Sequence, residues 1–532
     1  MGGERPTVSQ AQAWRPDSLR EAADQFYAAA TDVHVTLDVA VQGVGASHEF
    51  WTGSAAEAAR RDALALGRTS EELARAMVLA AVAAADGADQ IARARSDVLD
   101  LVDTVRSEGF VVGDDGIVAV GADAAQLLVA LSGGSRPVAH DLLGARAAEL
   151  TRQVVAALDR LAAADADAAA DIAEALAAPV SRPPATVPAG AAVQPGDVVA
   201  GWPAMSQDRI ADQIAAMTPE QRQRLVDEFP REVGNTDGVP WELRVAANRT
   251  NIAEAILEER DPVRIAFYRG LLTEIDDPAG GGRRIDRQIL AFDPARSSLV
   301  ELNGNLAAAE SVAVLVPGMN TTIEGSAANT ATARRFVAGS HGAVAVITYL
   351  GGPFPGDANV AAALVEAADP RYASAMAPRL VAFSEDVDRT VDATGRLVPV
   401  TYIGHSYGGS VLGTAEALGL TADRTLYVAA AGAGVGVDDP GDWHNRNPDV
   451  LRFSMTAPGD LIELVQGIPG GPHGADPDCM PGVIRLRTGH YDDGRLVAGP
   501  AAHSDMLNVP SDSWRNILAV ITGDRELIQV AG

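Results

Sequence analysis

The pentapeptide Gly404-His405-Ser406-Tyr407-Gly408 constrains this chain more than any other stretch. It follows an apolar run, Val398 to Ile403, and precedes a helical pattern from Gly409 to Leu418, so a strand must turn abruptly into a helix with a serine at the corner. So tight a turn presses backbone against backbone two residues before and after the serine, which favours glycine at both places. It also sets the Ser406 hydroxyl at a helix N-terminus, whose partial positive charge favours developing negative charge. A G-x-S-x-G string arises by chance in a chain with 52 glycines, and the strand and helix patterns on either side give it weight.

The chain of 532 residues is too long for one ordinary core, so two or more domains are expected. From about 16 to 178, apolar residues return every three or four positions with few prolines, which reads as a helical bundle within a first domain of residues 1–178. Ser18 with Glu21 offers a capping box for the first long helix. A second helical pattern runs from near Ser54 to about Val105, with Trp51-Thr52-Gly53 before it. Helical periodicity resumes after a Gly/Asp-rich interruption from Val112 to Asp123 and passes a Gly133-Gly134-Ser135 break. The prolines that follow place an interdomain linker at 179–200.

Over residues 201–532 short β-rich runs alternate with helical segments. The clearest are Val312 to Val316, Ala343 to Tyr349, Val398 to Ile403, Thr425 to Ala430, Leu451 to Thr456 and Val483 to Leu486. This alternation predicts an α/β domain: a mostly parallel sheet with helices on both faces, and a site at the carboxyl ends of its strands.

A serine hydroxyl is a weak nucleophile at neutral pH and needs a base, with a third group to orient that base. The order along the chain should be serine, acid, histidine. Strand Leu451 to Thr456 ends in Ala457-Pro458-Gly459-Asp460, which makes Asp460 the candidate acid; Asp438 and Asp439, after the preceding strand, are its rivals. For the base, His503 in the last loop before a C-terminal helix starting near Ser511 is preferred over His490, which comes almost directly off a strand. The oxyanion needs preformed amide donors. The N–H of Tyr407 is one candidate and that of Met319, in the loop Val316-Pro317-Gly318-Met319, the other.

A formal net charge of -29, with no lysine, would repel nucleic-acid phosphates and anionic lipid surfaces. Nucleic-acid partners are therefore excluded. Cys479 is the one cysteine, so neither an intramolecular disulfide nor a cysteine-based metal cluster is expected. The Gly432-Ala433-Gly434-Val435-Gly436 stretch misplaces the third glycine of a dinucleotide turn, and His473, Asp476, Asp478 and Cys479 lack paired-ligand spacing. No cofactor and no metal are expected. The N-terminus lacks a secretory leader pattern, and no apolar run is long enough to span a membrane.

From about Trp202 onward the chain resembles the actinobacterial α/β-hydrolase family long catalogued as a domain of unknown function. The resemblance rests on Val233 to Pro240 with Ala247-Asn248-Arg249, on Leu290 to Pro294, on Val316 to Met319, on the elbow from Gly404 to Gly409, and on Gly459-Asp460 and His503-Ser504-Asp505. Asn320 and Ala430-Ala431-Gly432 depart from the family pattern near the site. The resemblance implies an α/β-hydrolase fold with Ser406, Asp460 and His503 as the triad. The N-terminal part is similar to Trp-x-Gly helical-hairpin proteins of type VII secretion, through Trp51-Thr52-Gly53 between two helices, although no Tyr-x-x-x-Asp/Glu trailer follows.

The expected activity is carboxylic ester hydrolysis, esterase- or lipase-like, through an acyl-enzyme on Ser406 of a small-molecule or lipid ester; thioesterase and amidase chemistry stay open. Residues 351–380 are the place for a mobile cover. The other reading is a secreted or docking protein of a type VII system with an inactive hydrolase fold. The helical half would take a helical partner or self-associate, and the chain would be cytoplasmic or exported without a Sec signal.

Overall fold

The computed structural model describes residues 5–47, 51–121, 136–177, 194–356, 367–464, 466 and 471–531. Two compact units emerge, one of residues 1–188 with 253–273 and one of 189–252 with 274–532. Residues 253–273, expected in the second domain, thus group with the first unit.

The first unit is built on three long helices, α1 (Pro16–Ala46), α2 (Ser54–Ser107) and α3 (Arg136–Ala177). Pro16, not Ser18, sets the start of α1: its fixed φ is preorganised for the first helical position, and Ser18 lies inside the first turn with its hydroxyl donating to the Arg15 carbonyl at 2.7 Å. Gly53, at φ 108, precedes α2, and Arg60 donates to the Trp51 carbonyl at 3.2 Å. Apolar spacing of three and four residues puts Ile91, Val98, Val102 and Val105 of α2 against Leu150, Val154, Leu158 and Leu161 of α3. The Gly/Asp-rich interruption is a short antiparallel pair, Phe110–Val112 with Val118–Val120, whose Phe110 and Val118 join that core.

The Gly133 to Ser135 break and most of the expected linker lie outside the described residues. The last part of the expected linker is not irregular. Pro195 opens a helix, Pro195–Gly201, and Val198 and Val199 are buried with Trp202, Ile210 and Ile214.

The second unit holds an eight-stranded sheet. Its strands are β1 (Gln288–Asp293), β2 (Ser298–Asn303), β3 (Ser311–Val316), β4 (Val344–Gly351), β5 (Val400–His405), β6 (Arg424–Val428), β7 (Leu451–Met455) and β8 (Val483–Arg485). They lie in the order β8-β7-β6-β5-β3-β4-β2-β1, parallel except where β2 pairs with β1 and β4. Every residue of β3 and β4 is buried, which requires cover on both faces.

Four helices supply much of that cover: α4 (Ala327–Gly339), α5 (Arg371–Asp392), α6 (Tyr407–Ala417) and α7 (Asp512–Thr522). Strand alternation divides the side chains. Ala313, Leu315, Val344 and Val346 share a core with Phe336 and Val337 of α4 and Ile517 and Val520 of α7, where Phe336 and Trp514 stack at 5.2 Å. Tyr349 packs on Phe383 of α5 at 5.0 Å, and Tyr427 donates to Glu416 of α6 at 2.9 Å. This strand order with a strand-to-helix corner between β5 and α6 is the α/β-hydrolase fold. Among the described residues no helix is long and apolar enough to cross a membrane.

The packing of α6 generates a test. A Cβ on Gly413 would lie 1.7 Å from the Ala433 carbonyl oxygen, and Gly434, at φ 125, meets Gly413 from the other side. Both obstacles are backbone and cannot swing away. Gly413→Ala is expected to cost more than about 3 kcal/mol in denaturant unfolding. Gly270→Ala, in a helix with open space around it, should stabilise by roughly 1 kcal/mol at most.

Candidate active site

The corner at Ser406 is made by close backbone approach. Ser406 has φ 55 and ψ -121, a conformation that costs on the order of 1–3 kcal/mol and persists only where neighbours hold it. Its N–H donates to the Val428 carbonyl at 3.0 Å, and its own carbonyl accepts from Ala431 at 2.9 Å. A Cβ on Gly408 would meet the Val316 and Pro317 carbonyl oxygens at 2.2 and 2.4 Å, and one on Gly404 the Gly408 carbonyl oxygen at 2.6 Å. The glycines of the motif are required by these contacts. Ser406 itself is buried, 5% exposed, at the carboxyl end of β5.

Asp460 follows β7 through a turn in which Gly459 has φ 76, and it is buried. Its carboxylate accepts the Ile462 N–H at 3.0 Å and faces His503 Nδ1 at 3.0 and 2.9 Å through its two oxygens. His503 lies on a short helix, Ala502–Asn508, rather than in a loop. Its backbone is tied to the serine's neighbour: His405 Nε2 is 2.8 Å from the His503 carbonyl oxygen, and the two rings are 5.0 Å apart. Burial, and then the neighbouring His503, push the His405 pKa down to about 4. His405 is therefore a neutral imidazole at neutral pH, and the carbonyl acceptor fixes its proton on Nε2. Sequence reasoning missed this link, although His405 sits inside the motif.

The rival residues are elsewhere. His490 is exposed, with Nδ1 3.9 Å from the carboxylate of Asp512 at the start of α7. The Asp439 carboxylate accepts the Gly441 N–H at 2.9 Å in a tight turn, and Asp438 donates its N–H to Asp442 at 3.0 Å.

On the other side of the serine, a Cβ on Gly318 would lie 2.8 Å from Ser406 Cβ and 3.2 Å from Oγ, so the Gly318-Met319 peptide runs beside the hydroxyl. Tyr407 is the first residue of α6, where an amide has no partner within the helix. Among the described residues neither the Met319 nor the Tyr407 amide makes a hydrogen bond. Asn320, the departure from the family pattern, adopts φ 60 and donates its N–H to the Pro355 carbonyl at 2.8 Å. The Tyr407 hydroxyl donates to the Asp369 carbonyl at 2.7 Å and accepts the Ala373 N–H at 3.2 Å; burial raises its pKa. These bonds fasten both described ends of the segment 351–380, whose residues 357–366 lie outside the described residues.

His473 belongs to the scaffold behind the elbow. Its Nδ1 is 2.8 Å from Ser410 Oγ and its Nε2 2.6 Å from the Ala367 carbonyl oxygen, so both ring nitrogens are engaged. Burial lowers its pKa. The glycines at 432 and 434 serve close packing as well: a Cβ on Gly432 would lie 2.2 Å from the His473 carbonyl oxygen.

The depressed pKa of His405 has a sign that can be measured. Between about pH 4 and the ordinary value of 6.5 the unfolded chain binds a proton that the folded chain refuses, so stability rises with pH through that window and is lost as pH falls. The full contribution is about 3 kcal/mol. Replacing His405 by Asn should shrink the stability difference between roughly pH 7 and pH 4.5 by about 2–3 kcal/mol in denaturant unfolding; an unchanged difference would refute the neutral buried imidazole.

Residues 293–468 match the family model described as alpha/beta hydrolase. Two relatives, the uncharacterized proteins MT2140 and Rv2079 of Mycobacterium tuberculosis (strains CDC 1551 / Oshkosh and ATCC 25618 / H37Rv), are each 27% identical over 249 residues. The similarity covers 38% of this chain and 36% of each relative, so the match spans about a third of their length. The crystal structure of TT1662 from Thermus thermophilus is similar at 14% identity, over 42% of this chain and 96% of that one, with a TM-score of 0.21, too loose a likeness to bear on the site. The matched segment, the strand order and the corner at Ser406 agree on the α/β-hydrolase fold, and residues 293–468 are similar to the alpha/beta hydrolase family.

Proposed function

We propose that the chain is a serine hydrolase that cleaves carboxylic esters through an acyl-enzyme on Ser406. The observation that carries this reading is the Asp460–His503 pair, with His503 Nδ1 against both carboxylate oxygens and the His503 carbonyl bonded to the residue preceding Ser406. A carboxylate on Nδ1 fixes the tautomer that leaves Nε2 as the base.

Ser406 Oγ attacks the ester carbonyl carbon while His503 Nε2 takes the hydroxyl proton. The carbonyl oxygen becomes an oxyanion, which the Met319 and Tyr407 amides receive, each donor lowering the barrier by on the order of 3 kcal/mol. Collapse breaks the bond to the alkoxide, His503 returns the proton to it, and the alcohol departs. Water then attacks the acyl-Ser406 carbonyl, its proton passing to His503 and from there to Ser406. The alcohol leaving group requires the single proton that one imidazolium carries.

A fluorophosphonate probe should label the purified protein at Ser406 and leave the Ser406→Ala variant unlabelled. Turnover of esters graded from acetyl to palmitoyl should disappear in Ser406→Ala, and the chain-length profile gives the acyl preference. Asp460→Asn should lower kcat roughly 10³–10⁴-fold, because the wrong tautomer of His503 is then favoured. His490→Ala should stay within about twofold of the parent, as its imidazole pairs with Asp512 instead. Turnover that survives Ser406→Ala overturns the proposal, and absence of both labelling and turnover overturns it in favour of an inactive hydrolase fold serving as a docking module.

A further inference from the structure

A cavity opens in the sheet-bearing unit near the start of β5, the strand that leads into Ser406. It encloses about 630 Å³ between the start of helix Gln207–Ala215, the C-terminal half of α5, Val400 and Tyr402 of β5, and the segments leading into β6 and β7. That volume is in the range of small-molecule sites. Its walls carry five carboxylates against two guanidinium groups. Glu385 is neutralised by Arg446 at 2.5 Å, and Arg389 is committed to Asp386 outside the cavity wall. Asp423 accepts the Val400 N–H at 2.8 Å and the Asn447 amide at 3.1 Å. Asp208, Asp388 and Asp392 form no direct ion pair among the described residues, Arg446 reaching Asp388 only at longer range.

The floor of the cavity is unsatisfied as well. Tyr402, from β5, is completely buried, lines the cavity, and its hydroxyl has no hydrogen-bond partner among the described residues. The Oε1 of Gln207 is buried and has no partner among the described residues either, while its Nε2 donates to the Ala382 carbonyl at 2.8 Å, which fixes the amide with its oxygen as an acceptor. Buried polar atoms left in this state cost about 1–3 kcal/mol each, so a ligand that supplies N–H donors removes that penalty on binding. Burial and the like charges of Asp392 and Asp423 raise the Asp388 pKa, outweighing the pull of Arg446.

We propose that this cavity binds an organic polyamine. Ammonium groups spaced along an alkyl chain offer donors to Gln207 Oε1 and the Tyr402 oxygen and charge to Asp388 and Asp392. An inner-sphere metal ion fits less well, because among the described residues no three of these carboxylates bring ligand atoms within 4.8 Å of one another. The site is separate from the triad, since none of Ser406, Asp460 and His503 lines the cavity.

The test is calorimetric titration of spermidine into the full chain at about 150 mM ionic strength, where the diffuse attraction of a strongly acidic protein is screened. Saturable one-to-one binding is expected. Asp388→Asn and Asp392→Asn should each weaken it roughly tenfold, and Tyr402→Phe about five- to tenfold for one lost hydrogen bond. Ser406→Ala and a remote acidic control, Asp276→Asn, should leave it unchanged. The two aspartate variants, at the rim, keep the test decisive should Tyr402→Phe fail to fold. Binding that none of the three cavity variants alters, displacement by millimolar magnesium, or no saturable binding would each overturn the assignment.

Discussion

At the corner between β5 and α6, main chain touches main chain on several sides at once, and the arrangement of the second unit follows from it. The carbonyl oxygens of Val316 and Pro317 lie where residue 408 would carry a Cβ, and the Ala430 side chain lies 2.3 Å from the equivalent position on residue 409. Only glycine permits such approach, and it lets the loops after β3 and β6 close on the turn from both sides. The strain at Ser406 is offset by the sheet around it, through bonds from Ser406 to Val428 and Ala431. Because β3 and β6 flank β5 directly, a change in either loop is felt at the serine.

Asp460 and His503 connect to this corner through hydrogen bonds. Asp460 reaches His503, and the His503 backbone reaches His405, so three segments distant in sequence form one connected body. Burial gives the connection its rigidity: Asp460 is 3% exposed, and its carboxylate accepts the Ile462 amide besides the imidazole. A low-dielectric site makes each of these bonds stronger and each missing partner costlier.

Charge is handled consistently away from the site. Glu301 of β2 is buried between Arg287 and Arg334, and its pKa is lowered, the guanidinium groups outweighing burial. Glu416 is buried with Arg452 and Tyr427, and there burial wins and the pKa rises. Asp386 accepts from the Gly238 amide at 2.8 Å, from the Trp241 indole at 2.8 Å and from Arg244 at 2.9 Å. Burial raises the pKa of the adjoining Asp237 to about 6, against the pull of Arg244. Asn235 bonds the Phe292 main chain at 2.9 and 3.2 Å, and Asn248 the Gly234 and Ile289 carbonyls at 2.8 and 3.1 Å. The segment around residues 233–249 that carried part of the family resemblance is therefore architectural: it seals the edge of the sheet at β1.

The residues alone determined the elbow, the parallel part of the sheet and the helical first unit, because each is written locally, as glycines at fixed offsets, continuous apolar runs, or a helical period. The antiparallel edge strands β1 and β2 were less legible, since Glu301 and Asn303 interrupt the apolar pattern and are buried only because Arg287 and Arg334 meet them in space. Residues 253–273 read as part of the second domain until tertiary packing grouped them with the first unit. Two histidines followed the last strand, and sequence order could rank but not separate them. The tertiary structure distinguishes their surroundings, bringing His503 to a carboxylate 43 residues away and leaving His490 exposed beside Asp512. A hydrogen bond between distant segments depends on where the intervening chain is carried, and no local pattern encodes that.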